Sequence, residues 1–377
     1  MDATAAPPPP VRALKYDGRI GELYRIFLVN ILLTVVTLGI YKFWAVTRYR
    51  RYFWSRMAFQ GQRFEYTGTG GQLFVGFLLA GLVLLAMLAV ALGLAYVLPD
   101  ELKPLPIVVL YAAVAVLAAG AVFSAQRYRL SRSAWCGIHG GMTGSALAYG
   151  VRVILYWLLA MVTLFQMHPW MQIRLSERRI NASSFGTAQF GFRGRARSVY
   201  GVFLMTIVAT WVLFALMALG LVQLLVMVAP ALLAVPDMLF GAAKPSDIRR
   251  LMEALAQVVW VVAVAFVVFG ILSALIGAWY QAVLARHVIG HTTLASVRFA
   301  SSVAGPSLAG LILGNLLILL FTLGLGYPIV LHRNAQFLSR TLWTQGAIDP
   351  KALGQSTLRS SPYGEGMFQQ LDAGAAL

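Results

Sequence analysis

The sequence predicts an all-α transmembrane protein with about four full spans and three broken or re-entrant helical hairpins in a pseudo-threefold repeat. Three observations lead to this fold class: the apolar composition, the distribution of positive charges, and a sequence pattern that occurs three times. Of the 377 residues, 59% are hydrophobic and 11% are charged, whereas a soluble domain carries about 25% charged residues. A soluble fold of this length could not bury so much apolar surface.

Four apolar segments are long enough to cross a bilayer as helices. They contain no Asp, Glu or Lys and comprise residues 72–97, 105–126, 201–230 and 257–284. Each is at least as long as the ~20 residues that a helix needs to cross ~30 Å of hydrocarbon. An amphipathic helix of a soluble protein would carry polar residues at every third or fourth position. The four segments do not, and they therefore predict a multi-pass membrane protein.

The positive charges predict which side of the membrane each loop faces. The net charge is +17, and the basic residues lie between the apolar segments, where membrane topology and anionic lipids explain them without any nucleic-acid partner. Strongly basic loops are expected in the cytoplasm. They are residues 42–70, 127–144, 166–198 and 286–301. Segments 98–104 and 229–256 have balanced or acidic charge and are expected outside, with both termini cytoplasmic.

Three shorter apolar stretches conflict with this topology if they cross the membrane once. They are residues 23–41, the stretch between basic loops 127–144 and 166–198, and residues 302–331. Each lies between two basic regions, so we expect it to enter the membrane and return on the same side. Half-length helices would achieve this, since 12 helical residues rise only ~18 Å. The alternative is that all three are ordinary spans that break the charge rule.

The same three stretches resemble one another. NILLTVVTLGIYKFWAVTRYR, YWLLAMVTLFQMHPWMQIRLS and NLLILLFTLGLGYPIVLHRNA align without gaps, and each Thr-Leu pair is followed by an arginine eleven residues after the threonine. The aligned positions are Thr37, Thr163 and Thr322 for the threonines, and Arg48, Arg174 and Arg333 for the arginines. This pattern predicts repeat units near residues 20–80, 143–200 and 300–349.

Helix breaks within these units are the candidate functional sites, because broken helices often mark substrate or ion sites in transporters. The threonine hydroxyls would either bond freed carbonyls or contact a substrate. The arginines would either reach lipid phosphates or bind an anionic substrate. Arg152 is included because it is the one charge well inside an apolar stretch. The candidates are Thr37, Gly39, Arg48, Arg152, Thr163, Arg174, Thr322, Gly324 and Arg333.

No catalytic residue, metal or cofactor is predicted. The single cysteine, Cys136, excludes a multi-cysteine metal cluster. His287 and His291 have the i, i+4 spacing of metal ligands, but no carboxylate or cysteine lies nearby. We expect residues 1–18 and 350–377 to be flexible tails, and residues 19–349 to form one membrane domain.

The first unit resembles the YjgN family of bacterial inner-membrane proteins. The resemblance rests on the Gly-Glu-Leu start at residues 21–23, the TLGIY break at residues 37–41, Trp44 before the Arg-rich run 48–51, and the RFEYTG segment at residues 63–68. It is strong over residues 17–80 and weaker later, where Phe165 replaces the glycine of the break. The family implies a multi-pass protein of the bacterial inner membrane, with an RFEYTG-like strand, and leaves its biochemical activity open.

Three functional hypotheses follow. The leading one is a transporter or channel-like protein that binds a small solute or a lipid at the broken helices. The alternative is a structural or accessory membrane subunit that binds anionic lipid and a partner protein. An intramembrane enzyme is the third. Membrane lipids, especially anionic ones, are the expected partners, together with a second copy of the chain or another membrane protein.

Overall fold

Helical pairs alternate with β-hairpins along the protein. The computed structural model describes residues 11–233 and 245–355. Within them the α-helices are α1 Ile20–Val36, α2 Lys42–Arg56, α3 Gly70–Val97, α4 Pro104–Arg132, α5 Ala146–Val162, α6 His168–Ala182, α7 Arg197–Leu233, α8 Pro245–Gly290, α9 Gly305–Phe321 and α10 Tyr327–Thr341. The strands are β1 Val11–Arg12, β2 Leu14–Tyr16, β3 Met57–Phe59, β4 Gln62–Tyr66, β5 Ser133–Trp135, β6 Ile138–Met142, β7 Ser183–Phe185, β8 Ala188–Phe192, β9 Thr292–Leu294, β10 Val297–Ser301 and β11 Leu342–Gln345.

The eleven strands form one antiparallel sheet that closes on itself. Their order is β1-β11-β10-β9-β8-β7-β6-β5-β4-β3-β2. β1 and β2 lie at opposite ends of this order, yet only the bend at Ala13 separates them along the chain. Val11 pairs with Thr344 at one end of the sheet, and Leu14 pairs with Phe59 at the other. Residues 11–16 thus join the two edges, and we call the closed sheet the barrel.

The prediction of an all-α fold was therefore wrong. Each of the four basic segments predicted as a cytoplasmic loop contains one β-hairpin of the barrel. The strands have only two to five residues and lie directly beside long apolar helices, so their period-2 pattern is too short to stand out from the helical sequence. The turns do carry a signal: Gln60 and Gly61 have φ values of 50° and 83°, the left-handed pair that a tight hairpin requires.

Alternation of side chains gives the barrel an apolar interior and a polar exterior. Phe64 pairs with Trp135, and Phe190 pairs with Leu294. These side chains belong to, or pack against, one buried cluster. Their neighbours in the strands, which point to the opposite face, include charged residues such as Glu65. The cluster is the core of the barrel.

Each helical pair leaves the barrel from one strand and returns to the neighbouring strand. The pair α1–α2 connects β2 to β3, α5–α6 connects β6 to β7, and α9–α10 connects β10 to β11. In all three cases the connected strands are paired. The helices of these short pairs have 17 and 15 residues, which correspond to about 25 and 23 Å. A five-residue turn joins the two helices of each short pair, and we call each pair a short hairpin.

Four helical segments are long and apolar enough to cross a membrane: Gly70–Val97, Pro104–Arg132, Arg197–Met227 and Leu251–Gly290. At most 17% of the most apolar part of any of them is buried within the protein. Such a large exposed apolar surface is stable only when lipid or other apolar groups cover it. These segments account for the membrane character of the chain.

The chain divides into two compact units. The first comprises residues 1–197, 285–302 and 318–377, and contains the whole barrel. The second comprises residues 198–284 and 303–317. Strands β1 and β2 lie within the range expected to be an N-terminal tail, and a 3₁₀ turn, Pro350–Ala352, lies within the expected C-terminal tail. Residues 1–10 and 356–377 of those ranges are outside the described residues.

The three short hairpins turn through the same backbone motif. In the first, the Gly39 N–H donates to the Thr34 carbonyl at 2.7 Å, and the Leu38 N–H donates to the Val35 carbonyl at 3.1 Å. This pair of bonds is a Schellman motif, which ends a helix with a left-handed residue. The left-handed residue is a leucine with φ 49° in every case: Leu38, Leu164 and Leu323. These leucines are 94%, 81% and 91% exposed, so the hairpin tips are apolar.

The residue after each leucine is also left-handed, and glycine supplies this conformation in two of the hairpins. Gly39 has φ 93° and Gly324 has φ 85°, and no atom would meet a Cβ at either position. We expect Gly39→Leu/Gly324→Leu to destabilise the protein by about 1–2 kcal/mol per site, the cost of a side chain in this backbone conformation. Thermal unfolding of the purified protein in detergent would measure the loss.

Gly21→Leu is the matched control, because Gly21 lies in α1 with open space around its Cα and without a left-handed backbone. It should leave the unfolding temperature unchanged or slightly raised. Equal unfolding temperatures for Gly39→Leu/Gly324→Leu and the wild type would show that these turns do not require glycine.

Candidate functional site: a basic cleft

A cleft between α4, α5 and α6 brings charged and aromatic side chains together. Its volume is about 690 Å³, and we call it the basic cleft. Three arginines line it: Arg152 from α5, and Arg174 and Arg178 from α6. Among the described residues, Glu177 is the only acidic one in the lining. The charges of the lining therefore favour an anion.

The three arginines differ in their acidic partners. Arg174 donates to the Glu177 carboxylate at 2.8 Å, so these two charges largely offset each other. Neither Arg152 nor Arg178 makes an ion pair with any acidic residue in the described parts of the chain. Arg152 is half-buried, and Arg178 is exposed. Their guanidinium groups are available to a ligand that brings its own negative charge.

Aromatic rings line the cleft near the hairpin tip and between α4 and α5. Tyr156 of α5 and Trp170 of α6 meet at 4.8 Å in an edge-to-face arrangement. Phe123 of α4 and Tyr149 of α5 lie 5.1 Å apart. At the barrel end the lining is polar, with Asn181 beside the segment 143–145. The cleft thus changes from aromatic to polar along the hairpin.

Close backbone contact between α4 and α5 positions this wall of the cleft. A Cβ on Gly150 would lie 2.1 Å from the Val116 carbonyl oxygen, and one on Gly120 would lie 2.6 Å from the Ala146 carbonyl oxygen. Only glycine permits such an approach. Ser145 caps α5, since its hydroxyl accepts a hydrogen bond from the Ala148 N–H at 3.3 Å. These contacts fix the helix that carries Arg152.

The structure brings together two of the nine residues predicted as site candidates. Arg152 and Arg174 both line the basic cleft. The aligned arginines of the other two hairpins lie outside it: Arg48 packs over the Tyr41 ring at 5.7 Å, and Arg333 is on α10. The basic cleft therefore does not collect all three aligned arginines.

The threonine and glycine candidates belong to the hairpin turns. The Thr37 hydroxyl donates to the Leu33 carbonyl at 2.7 Å and accepts from the Tyr41 N–H at 2.9 Å. Thr163 and Thr322 make the corresponding bonds in their own hairpins. With both functions of the hydroxyl satisfied by backbone, these side chains stabilise the turn.

Sequence reasoning missed Arg178, Asn181 and the aromatic residues of the cleft. A signal was present, because Trp170, Arg174 and Arg178 are spaced i, i+4, i+8 and so share one face of a helix. Tyr149, Arg152 and Tyr156 have the spacing i, i+3, i+7 on α5. The alignment of the three units drew attention to Arg174 alone, since Arg178 has no counterpart in the pattern.

His287 and His291 lie close together, with ring centroids 4.1 Å apart. The His287 carbonyl oxygen is 2.8 Å from His291 Nδ1. No group of three or more His, Cys, Asp or Glu residues that could hold a metal ion occurs within residues 11–233 and 245–355.

The glycine contact between α4 and α5 predicts a specific sensitivity. We expect Gly150→Ala to lower the stability by about 1–3 kcal/mol, because the added methyl group forces the two helix backbones apart. Gly81→Ala is the matched control, since a Cβ on Gly81 of α3 would have no atom within 4 Å of it. Thermal unfolding in detergent would compare the two variants. A Gly150→Ala protein as stable as Gly81→Ala would contradict the close contact.

Comparison with known proteins identifies the family. Residues 11–370 match the family model "Bacterial protein of unknown function (DUF898)". The chain is 42% identical over 76 residues to the inner membrane protein YjgN of Salmonella typhimurium, and 42% identical over 66 residues to that of Escherichia coli K12. These segments cover 20% and 18% of this chain, and 19% and 17% of the relatives. No solved structure matches the chain.

The chain thus aligns with less than a fifth of the length of these curated relatives. The relatives are named as inner membrane proteins, and the four long apolar helices support the same location for this chain. The resemblance to YjgN proteins, first seen in residues 17–80, is confirmed. The family match extends over nearly the whole sequence. The chain belongs to the DUF898 family of bacterial inner-membrane proteins, whose function is unknown.

Proposed function

We propose that this inner-membrane protein binds anionic lipid headgroups in the basic cleft. The observation that carries the proposal is a pair of arginines, Arg152 and Arg178, that have no acidic partner among the described residues and lie beside the Arg174–Glu177 ion pair. Guanidinium groups bind phosphate through two parallel hydrogen bonds. A lipid phosphate bound by Arg152 and Arg178 would bring one negative charge against their two positive charges.

The aromatic end of the cleft favours a lipid over a free solute. Tyr and Trp side chains are enriched where a membrane meets water, because their rings are apolar and their N–H or O–H groups are polar. Tyr156 and Trp170 would contact the glycerol region and the first methylenes of a lipid, while the arginines hold its phosphate. The cleft therefore matches an amphipathic ligand along its length.

The orientation that we propose places the barrel and both termini in the cytoplasm. In support, the β-hairpins lie within the four basic segments of the sequence, and cytoplasmic segments are enriched in Lys and Arg. The cleft would then face the cytoplasmic leaflet, where anionic lipids give the surface its negative potential. Glu101 and its neighbours between α3 and α4 would lie on the periplasmic side.

Cys136 offers a direct test of this orientation, because it is the single cysteine and lies exposed in the β5–β6 turn. Burial of part of the side chain raises the pKa of the Cys136 thiol, so labelling should be done above neutral pH. We expect an impermeant maleimide to label Cys136 in permeabilised spheroplasts but not in intact ones.

The control for the orientation test is Cys136→Asn/Glu101→Cys, in which asparagine keeps a turn residue that tolerates positive φ. This protein should be labelled in intact spheroplasts. Labelling of wild-type Cys136 in intact spheroplasts would place the barrel outside the cytoplasm and would remove the cytoplasmic leaflet as the source of the lipid.

Among the earlier hypotheses, the accessory subunit that binds anionic lipid agrees best with the cleft. A second copy of the chain or another membrane protein as its partner remains part of this proposal. The transporter hypothesis relied on polar groups at the helix breaks, and the threonine hydroxyls there are engaged by backbone. The common backbone of the three short hairpins supports a further proposal, that they are copies of one ancestral unit.

The lipid proposal is tested by two double variants with the same change in charge. We expect Arg152→Gln/Arg178→Gln to weaken binding to liposomes or nanodiscs containing anionic lipid by about tenfold or more, since a hydrogen bond to a charged group contributes about 1.5–3 kcal/mol. Arg48→Gln/Arg333→Gln removes two arginines outside the cleft and should weaken retention much less. The measurement is co-purified and rebound phosphatidylglycerol per protein.

Equal losses in the two double variants would mean that net charge, and not the cleft, determines lipid retention. Undiminished binding in Arg152→Gln/Arg178→Gln would overturn the proposal. Circular dichroism and size-exclusion profiles of both variants would confirm that each is folded.

A further inference from the structure

The barrel contains a second cavity that is distinct from the basic cleft. Its volume is about 390 Å³, and apolar side chains from the strands, such as Phe64, Trp135 and Phe299, form most of its wall. The polar groups near it are already satisfied. The Ser133 hydroxyl accepts from Trp54 Nε1 at 2.8 Å, and Trp135 Nε1 donates to the Phe59 carbonyl at 3.1 Å.

An apolar wall whose polar groups are already hydrogen-bonded favours hydrocarbon over water. Water is held in a cavity when it finds two to four polar partners, and the satisfied groups of this wall offer none. An apolar chain loses no hydrogen bonds on entering and gains dispersion contacts with the aromatic rings. If a methylene takes up a volume close to the ~30 Å³ of a water molecule, the cavity holds about a dozen methylenes.

One end of the barrel is closed by residues 346–355, which we call the strap. Ile348 of the strap is 8% exposed and joins the apolar core of the barrel, and Leu353 packs against that core. The strap bonds to the turns of all four β-hairpins: Ile348 N–H to Gln60 Oε1 at 3.2 Å, Ser296 hydroxyl to the Ala347 carbonyl at 2.9 Å, Thr187 N–H to the Gly354 carbonyl at 3.1 Å, and Gln355 Nε2 to the Gly137 carbonyl at 2.7 Å.

The other end of the cavity is lined by helix termini. Trp54, Leu130 and Leu338 belong to the last turns of α2, α4 and α10, where these helices enter the barrel. α4 is long and apolar enough to span the membrane. The cavity therefore extends from the strap toward the ends of membrane-associated helices.

We infer that the barrel cavity binds a single linear acyl chain that enters from the membrane side. This acyl chain could belong to a phospholipid or to a free fatty acid, because both contain the same hydrocarbon. The inference does not depend on the basic cleft, because the two cavities have no lining residue in common. It gives the barrel a role as a receptor for hydrocarbon.

Photo-crosslinking of the full-length protein in nanodiscs tests this inference. One sample contains a fatty acid with a diazirine near its methyl end, and the other contains phosphatidylglycerol with the same group on one acyl chain. After irradiation and digestion, peptide mass spectrometry locates the adducts. We expect adducts on barrel residues such as Phe64 and Phe299, in addition to those on the exposed faces of α3 and α4.

Two variants fill the cavity independently, in case one of them fails to fold. Leu294→Trp and Leu342→Trp each add a ring within the wall and should reduce the yield of barrel adducts by about tenfold through steric exclusion. Leu82→Trp is the matched control, because Leu82 is 64% exposed on α3 and remote from the cavity lining. Its barrel adducts should equal those of the wild type.

The two samples also identify which molecule supplies the acyl chain. Barrel adducts with the fatty acid alone, the phospholipid alone, or both would each support the inference and name the donor. Adducts confined to the exposed helices with both probes, or barrel adducts unaffected by both filling variants, would overturn it. Arg152→Gln/Arg178→Gln should leave the barrel adducts of the free fatty acid unchanged, so failure of the headgroup proposal and failure of this inference give different results.

Discussion

Hydrogen bonding between residues 11–16 and the two ends of the sheet is the constraint on which the rest of the structure depends. Without β1 and β2, the sheet would have free edges at β11 and β3, with unpaired N–H and C=O groups. Such edges pair readily with other chains and cost free energy when they are buried unpaired. Closure removes both edges. It also fixes the positions at which the helical pairs leave and return, because each pair connects neighbouring strands.

The basic cleft shows how a short hairpin can carry a cavity lined by charged and aromatic side chains. The three short hairpins share a turn and a pair of helix lengths, yet the described cavity with several arginines lies at the second one. There, the glycine contact brings the backbones of α4 and α5 together, and Tyr149, Tyr156 and Trp170 line the cleft. The helices and the turn supply the frame, and side chains particular to the second hairpin line the cavity.

The sequence predicted the parts of the structure that arise from long or charged segments. The four long apolar helices and the turns after Thr37, Thr163 and Thr322 follow from hydropathy and from helix-breaking residues. The barrel did not, since strands of two to five residues carry little pattern, and the pairing of Val11 with Thr344 joins residues at opposite ends of the chain.

At the candidate site, too, the sequence predicted single residues but not how they come together. Arg152 and Arg174 were predicted for separate reasons, one as an intramembrane charge and the other as an aligned position. Both lie in the second short hairpin, and their meeting in one cleft depends on how the turn at Leu164 and Phe165 folds α6 back beside α5. Which sides of two hairpin helices face each other is a tertiary property, and a single sequence gives no direct measure of it.

Closure by the first and last strands has a consequence for biogenesis. β1 is among the first described segments to leave the ribosome, and β11 is the last strand. The ring therefore stays open throughout synthesis, while the long helices are already being inserted into the bilayer. Contacts between such distant segments form slowly, because a long loop must be closed first. During that interval β3 and the later hairpins present an incomplete sheet, which makes a chaperone or the nearby membrane surface important for yield. A ribosome that stops between residues 291 and 341 would leave a chain with all four long apolar segments but without β11, so its sheet could not close.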